Sequence, residues 1–166
     1  MITKTYILQN LRELNAAYNK SNGKQSLYLS KLAILELCGW IELSMDDLVE
    51  RHATRHLCES RNVKYHDDEI VKKNYGFDYR SNFRHMMMRT VGLVTLERIE
   101  RSIGQSIIAP FSSQLGNLKV ARDKLAHTYL KGAGAAVSID APSVTQNRFS
   151  DLYAGLKAYE NQLRAL

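Results

Sequence analysis

The longest helical pattern in the chain, residues 26–59, limits the fold more than any other feature. Ser26 is a candidate N-cap for this helix. In its first half, apolar residues occur on nearly every side: Leu29, Leu32, Leu35, Leu37, Trp40 and Ile41. A helix that is apolar all round is typical of a buried position. We therefore predict a helix at the centre of a bundle, bent at most by Gly39.

The rest of the chain repeats the helical period. Apolar residues recur at spacings of three and four, and a hydrophobic content of 45% with 2 prolines favours a folded helical protein. The sequence predicts an all-α bundle of about five helices in one domain, 1–166. The other predicted helices are 3–20, 78–102, one that starts at Pro110, and 147–165, with a connection at 61–76 and a loop after Gly132.

Carboxylates interrupt the central helix in two ways. Glu36 is the only charged residue between Lys31 and Glu42, and a buried carboxylate must be paired or protonated. One hypothesis is that Glu36 pairs with, or lies near, Arg122 and positions it; the other leaves Glu36 facing solvent. Further along, Glu42, Asp46 and Glu50 form a row at spacings of four, which we interpret as a solvated face.

The stretch from Ala121 to Lys131 concentrates the polar chemistry of the chain. Asp123 and His127 are four positions apart, so the carboxylate is expected to hold the imidazole and favour its protonated form. Arg122 projects near the apolar stripe of this helix and is expected to need an anionic partner. Arg122 and His127 diverge by roughly 140° on an ideal helix. They meet at one phosphate only through a helix irregularity or through a second copy across a two-fold axis.

The pattern R-x-x-x-x-H-x-Y, formed by Arg122, His127 and Tyr129, resembles the signature of the HEPN superfamily. That superfamily consists of small all-helical domains, many of them metal-independent endoribonucleases of toxin–antitoxin, phage-defence and CRISPR systems. The resemblance implies a helical bundle with a four-helix core, a two-fold homodimer, and a composite site built from Arg122 and His127 of two protomers. It covers residues 110–132 and is only architectural elsewhere.

The resemblance also implies a reaction, the cleavage of RNA through its 2′-hydroxyl. His127 is expected to act as general acid and base, because the pKa of histidine lies near neutral pH. Arg122 is expected to clamp the scissile phosphate, with Asp123, Tyr129 and Glu36 in support. No metal and no cofactor are expected. The alternative is a non-catalytic domain that binds nucleotide, RNA or protein, in which Asp123 satisfies His127 and Arg122 is a structural ion-pair partner.

A second partner follows from Tyr129. In some HEPN toxins paired with a small nucleotidyltransferase antitoxin, the tyrosine of this motif is adenylylated to silence the toxin. The resemblance therefore makes Tyr129 a candidate modification site and a nucleotidyltransferase-type antitoxin a candidate partner. A chain that is only the passive substrate of such an antitoxin is compatible with this interpretation.

The charge of the chain points to polyanions. A net charge of +6 and a pI near 9.3 favour RNA as a partner. Candidate phosphate contacts are Lys124, Lys131, Arg51 and Arg55. His52 and His56 have the spacing of metal ligands, but the zincin glutamate is missing between them, and a basic exposed helix end explains the same residues.

Cysteine usage and hydropathy concern the environment of the protein. Cys38 and Cys58 are the only cysteines, and on one helix they would lie about 30 Å apart, beyond disulfide reach. We expect two buried, reduced thiols. No signal-peptide pattern and no long uncharged run is seen, so we expect a cytoplasmic protein without a membrane span.

Overall fold

The computed structural model describes residues 1–126 and 138–166, and within them the chain is all-helical. The prediction of an all-α protein is confirmed, with seven α-helices in the described residues rather than about five. They are α1 Thr5–Asn19, α2 Gly23–His56, α3 Ser60–His66, α4 Arg84–Val91, α5 Leu93–Ile103, α6 Gln105–Ala126 and α7 Pro142–Ala165. Their buried apolar side chains form one contiguous core.

The long helix α2 passes Gly39 without interruption and packs against α1, α6 and α7. Its buried side includes Leu37, Ile41 and Met45, each 0% exposed. The helix is not buried all round, however, because Leu32 is 43% and Leu43 72% exposed. The apolar first half of α2 therefore indicated a central helix correctly but overstated how much of it the other helices cover.

Helices α2 and α7 run in the same direction along the bundle. Trp40 packs against Phe149 near their middles, with ring centroids 5.0 Å apart. Closer to their C-terminal ends, His52 Nδ1 lies 3.3 Å from the carbonyl oxygen of Leu163. The last turns of both helices consequently meet at one end of the molecule.

Helices α1 and α6 run opposite to this pair. Helix α6 approaches α7 closely because Gly155 has no side chain, and a Cβ at that position would overlap the ring of Phe111. The antiparallel course brings the C-terminal turns of α6 back to the middle of α2. Arg122 and Glu42 therefore meet although they are distant in sequence.

Two helix boundaries differ from the sequence prediction because proline was placed wrongly. Helix α6 begins at Gln105, directly after Gly104 with φ 80°, so Pro110 lies inside the helix and does not start it. Helix α7 begins at Pro142 rather than near residue 147. Pro142 is the residue that fits the first turn of a helix, since its missing N–H would be unpaired there.

The segment between α2 and α6 is broken into short helical pieces. The predicted helix 78–102 is divided at Gly92, whose φ of 80° no side chain adopts easily. The predicted connection 61–76 contains α3 and a five-residue π-helical turn, Asp67–Val71. A second π-helical turn, Tyr79–Phe83, follows the capping carboxylate of Asp78. Between these pieces, Phe77 contacts Arg122 of α6, and residues 74–76 line a cleft with the same arginine.

A polar network lies within the core beneath the second π-helical turn. Tyr79 donates to Glu100 at 2.8 Å and its oxygen lies 2.7 Å from that of Tyr159. Arg84 donates to both oxygens of Glu100, at 2.8 and 3.1 Å. Burial raises the pKa of Tyr79 to about 12, so its hydroxyl keeps its proton at neutral pH and can donate to Glu100.

Two expectations about environment are answered in the described residues. Cys38 is buried, but Cys58 is exposed in the turn after α2, so the prediction of two buried thiols was wrong for Cys58. None of the described helices combines the length and the apolarity that a bilayer crossing requires.

Candidate functional site

The motif arginine, Arg122, lies on the last turns of α6 and faces α2. Its Nη1 donates to Glu42 Oε1 at 2.5 Å. Its Nε and Nη2 donate to Oδ1 of the neighbouring Asp123, at 3.3 and 3.1 Å. All three guanidinium nitrogens are thus paired with carboxylates, and the side chain of Arg122 remains 26% exposed.

The guanidinium packs against the face of an aromatic ring. Its Cζ lies 4.9 Å from the centroid of the Phe77 ring, and Phe77 is 1% exposed. An arginine over an aromatic face gains a cation–π contribution of about 0.5–2 kcal/mol, depending on solvation. The expectation that Arg122 lies on apolar surface and takes an anionic partner is therefore met, by Phe77 and Glu42.

The hypothesis that Glu36 is this partner was wrong. Glu36 lies six positions before Glu42, a rotation of about 120° on an ideal helix, and faces α1 instead of α6. There Glu36 Oε2 accepts a hydrogen bond from Asn10 Nδ2 at 3.3 Å. Glu42 occupies the position that the sequence interpretation gave to Glu36.

The acidic row on α2 is not simply a solvated face. Glu42 and Asp46 are half-buried and line a cleft together with Arg122, while Glu50, the third member of the row, is exposed. The cleft has a volume of about 310 Å³ and is completed by Asn74, Tyr75 and Gly76. Burial raises the pKa of Asp46 to about 6, and the nearby Glu50 and Glu42 add to the shift.

Sequence reasoning missed Glu42, Asp46 and Tyr75 in the lining of this cleft and Phe77 beneath Arg122. The spacing of four between Glu42 and Asp46 placed both carboxylates on one side of α2, but gave no sign that α6 would cover that side. Tyr75 and Phe77 belong to a stretch without helical period, so only the fold shows where they lie.

Asp123 is held by neighbours on its own helix. Besides Arg122, it is 3.5 Å from Lys119 Nζ. The hydrogen bond from Arg122, above all, holds the pKa of Asp123 below its usual value. The predicted pair of Asp123 with His127 lies outside the described residues, as do Tyr129 and Lys131, while Lys124 is exposed on the last turn of α6.

A cysteine lies directly behind the arginine. Cys38 precedes Glu42 by one turn of α2 and is 1% exposed. Burial raises the pKa of its thiol to about 12, and the opposing effect of Arg122 is smaller. Cys38 is consequently a neutral thiol that packs in the core, and it offers neither a nucleophile nor a metal ligand.

Two predicted phosphate contacts, Arg51 and Arg55, do not reach the Arg122 cleft. Arg51 follows Glu42 by nine positions, which is half a turn away around α2. It pairs with Asp47 on its own helix and lies 3.3 Å from Glu160 of α7. The site residues of the sequence analysis therefore divide between two faces of α2.

The two histidines near Arg51 interact with each other. The rings of His52 and His56 are 4.4 Å apart, and His52 Nδ1 donates to the carbonyl of Leu163. Burial, and then the nearness of His56, lower the pKa of His52. In residues 1–126 and 138–166 no three histidine, cysteine, aspartate or glutamate side chains form a metal-binding group.

The Arg122 cleft can hold a phosphate only by exchanging a carboxylate for it. Glu42 and Asp123 occupy the donors of the guanidinium, and of these two Asp123 is the more exposed, at 50% against 35%. Displacing Asp123 would free Nε and Nη2, the edge of the fork that binds anions in a bidentate manner. Asp46, protonated in part near neutral pH, could then exchange a proton with a bound group.

Comparison with known proteins adds no relative to this geometry. No protein-family model, no curated protein and no solved structure matches the chain. The resemblance to the HEPN signature therefore rests on Arg122, His127 and Tyr129 in the sequence.

Proposed function

We propose that the chain is a metal-independent endoribonuclease of the HEPN type, active as a homodimer in toxin–antitoxin or phage-defence biology. The observation that carries the proposal is the motif arginine, Arg122, held over Phe77 in a cleft where its side chain is 26% exposed. A guanidinium fixed in this way is prepared to bind a scissile phosphate without losing much conformational freedom.

In the proposed reaction His127 takes the proton of the 2′-hydroxyl or protonates the leaving 5′-oxygen. Arg122 stabilises the negative charge that develops on the phosphorus-bound oxygens. The products carry a 2′,3′-cyclic phosphate and a 5′-hydroxyl. Because Arg122 and His127 diverge on one helix, the proposed site takes Arg122 from one protomer and His127 from the other.

Modification of Tyr129 is part of the same proposal. An adenylyl group adds a negative charge and a large substituent within the motif, and it would compete with RNA for the guanidinium of Arg122. A nucleotidyltransferase-type antitoxin is the partner that would supply it.

A second function, a non-catalytic domain that binds nucleotide, RNA or protein, is favoured by one observation. The guanidinium of Arg122 already has carboxylate partners on two sides, Glu42 and Asp123. An arginine so paired stabilises the contact between α2 and α6 without any ligand. The two functions differ in whether Arg122 and His127 variants lose turnover or only stability.

The test is cleavage of a structured RNA by purified protein in EDTA. Wild type is compared with His127→Ala, Arg122→Gln and His85→Ala, the last being an exposed histidine outside the motif. We expect the first two variants to lose at least about 100-fold in rate, as general acid–base and phosphate-clamp losses do. His85→Ala should cleave like wild type and leave cyclic-phosphate ends.

Other results would contradict the ribonuclease. Equal cleavage by all four proteins would identify a contaminating nuclease. Absence of cleavage by a wild-type protein whose Tyr129 peptide has its unmodified mass would favour the non-catalytic domain. A monomer in solution that still cleaves RNA would contradict the composite site while keeping the enzyme.

A further inference from the structure

A second cavity lies on the opposite face of α2, where the last turns of α2 and α7 meet. Its volume is about 250 Å³. From α2 it is lined by Leu48, Arg51, His52 and Arg55, from α7 by Glu160, Leu163 and Arg164, and from the start of the chain by Met1. Three guanidinium groups thus surround a cavity that holds one carboxylate.

The carboxylate of Glu160 is already satisfied within the protein. It is 3% exposed, and its Oε1 accepts the backbone N–H of Ile2 at 2.8 Å. Arg51 Nη1 lies 3.3 Å from the same oxygen, and Lys157 pairs with the other one. Glu160 therefore fixes Arg51 in the cavity wall, and it does not engage the remaining two arginines.

Arg55 and Arg164 are the two arginines of the cavity that Glu160 does not contact. Both are exposed, and within the part of the chain that the structure describes neither forms an ion pair or a hydrogen bond. His52 lines the same cavity and donates its Nδ1–H to the carbonyl of Leu163, so the neutral ring has only the acceptor Nε2 left and adds no donor there. Two guanidinium forks on one cavity are a donor set suited to a phosphate group.

The helix ends offer a simpler reason for basic residues here. Cations in the last turn of a helix offset the partial negative charge of its carbonyls, about half an elementary charge per helix. That effect accounts for a basic residue on each helix, but not for their arrangement around one cavity. The summed positive charge of Arg51, Arg55 and Arg164 is also larger than the negative charge of Glu160 and of the two helix ends combined.

We propose that this cavity is a binding site for a phosphate group, held by Arg55 and Arg164 against the wall that Arg51 and His52 form. The site is separate from the Arg122 cleft, because Arg51 lies half a turn around α2 from Glu42. The phosphate comes from a small phosphomonoester, such as a nucleotide, or from a nucleic-acid backbone. The two sources share the same recognition chemistry.

Calorimetric titration with three probes distinguishes the two sources. The probes are inorganic phosphate, adenosine 5′-monophosphate and an oligothymidylate with a 5′-hydroxyl, which has only backbone phosphates and no 2′-hydroxyl to cleave. The site variant is Arg55→Gln with Arg164→Gln. The matched control is Arg98→Gln with Arg101→Gln, which removes the same charge from exposed positions of α5.

We expect saturable binding of at least one probe, and a dissociation constant at least about tenfold higher in the site variant, since charge-assisted hydrogen bonds are lost. The control should stay within about twofold of wild type. Binding of phosphate and the mononucleotide assigns the site to a phosphomonoester, while binding of the oligothymidylate alone assigns it to a backbone. Arg164→Gln by itself, near the end of α7, should show a smaller loss and serves if the double variant does not fold.

Two outcomes would overturn the phosphate site. One is the absence of saturable binding by all three probes. The other is equal weakening in the site variant and in the control, which would mean that overall charge, not the cavity, attracts the anion. Neither outcome depends on RNA cleavage, so the phosphate site and the proposed ribonuclease fail or stand separately.

Discussion

On two sides of α2 a charged group lies between packed helices, and the sign of that charge and of its partners is reversed from one side to the other. On the α6 side a cation, Arg122, lies among the carboxylates of Glu42, Asp123 and Asp46. On the α7 side an anion, Glu160, lies among the cations of Arg51 and Lys157. The first cleft is acidic apart from its arginine, and the second is basic apart from its glutamate.

This difference shows that the basic character of the chain is not concentrated at the motif. The net charge of +6 favoured polyanions, and the motif arginine was the natural place to expect them. In the described residues, however, Arg122 is paired with two carboxylates, whereas Arg55 and Arg164 line one cavity without a carboxylate partner. The proposed catalysis at Arg122 and the proposed binding of anions at Arg55 and Arg164 therefore take place on opposite sides of α2.

Burial determines in which of the two clusters a substitution destabilises the fold more. The side chain of Glu160 is 4% exposed, whereas Arg122 and Glu42 are 26% and 35% exposed. Removing one partner of a buried ion pair leaves an uncompensated charge and costs more than removing an exposed one. The α7 side should therefore be the more sensitive to substitution.

The largest effect is expected for Glu160→Gln. The change leaves Arg51 and Lys157 without their common partner, and we expect the free energy of unfolding at pH 7 to fall by about 3 kcal/mol. Asp47→Asn removes the exposed partner of the same arginine, and because burial and Glu160 raise the pKa of Asp47, we expect a change of no more than about 0.5 kcal/mol. Urea denaturation measures the free energy of unfolding of both variants. Equal losses of stability in the two would contradict the expectation that the more buried carboxylate matters more.

The sign of the pH dependence follows from the same contacts. Burial alone would raise the pKa of Glu160, but Lys157, the Ile2 N–H and Arg51 outweigh it and hold the pKa below its usual value. A carboxylate whose pKa is lower in the folded state than in the unfolded state stabilises the fold at pH values above its unfolded pKa. This stabilisation is lost as the pH falls through the folded pKa. The difference in the free energy of unfolding between wild type and Glu160→Gln should therefore become smaller at acidic pH.

The next largest effect is expected at Arg122 and Glu42. Arg122→Met leaves a half-buried carboxylate unpaired and should cost about 1.5 kcal/mol at pH 7. In a double-mutant cycle with Glu42→Gln we expect a coupling energy of about 1 kcal/mol, typical of partly exposed pairs in contact. The matched cycle with Glu36→Gln should show none, because Glu36 is bonded to Asn10. Coupling of equal size in both cycles would contradict the assigned partner.

The contrast between Glu36 and Glu42 also shows what the sequence could determine. The apolar period of α2 placed the helix correctly, and the position of Arg122 beside the apolar stripe of its own helix required an anionic partner. Which glutamate would meet Arg122 depended on how α6 lies across α2, and helical periodicity contains no information about that. A difference of six positions rotates a side chain by about 120°, enough to exchange one neighbour for another.

The same limit applies to the walls of both cavities. Arg51 and Arg55 were recognisable as candidate phosphate contacts from their type and spacing. Arg164, which completes the α7 side, belongs to the other end of the chain, and only the parallel course of α2 and α7 brings it near. Phe77 was hidden for another reason, since it follows two short helical pieces that no apolar period indicates.

A smaller effect is expected for Asp46→Asn, which tests the acidic character of the α6 side. Burial first, and then Glu50 and Glu42, raise the pKa of Asp46 to about 6. A raised pKa in an acid means that the folded state binds the proton more tightly, so stability is lost as the pH rises from about 4 to 6. Asp46→Asn removes that loss.

We expect Asp46→Asn to raise the free energy of unfolding by about 1 kcal/mol at pH 8, after discounting the shift for solvent screening, and to change little at pH 4. Glu13→Gln, at an exposed position of α1, should change stability at neither pH. A stabilisation of equal size at both pH values would mean that charge repulsion in the cleft is not its cause.

The smallest effect is expected for Arg55→Gln with Arg164→Gln, and it divides the cations of the α7 side by role. If these arginines served mainly to offset the helix ends, their loss would cost about 1–2 kcal/mol together and more at low ionic strength. As ligands of a phosphate they contribute little without it, so we expect no more than about 0.5 kcal/mol at physiological salt. Chemical denaturation at two salt concentrations, with and without phosphate, separates these roles, because a bound anion adds stability to wild type alone.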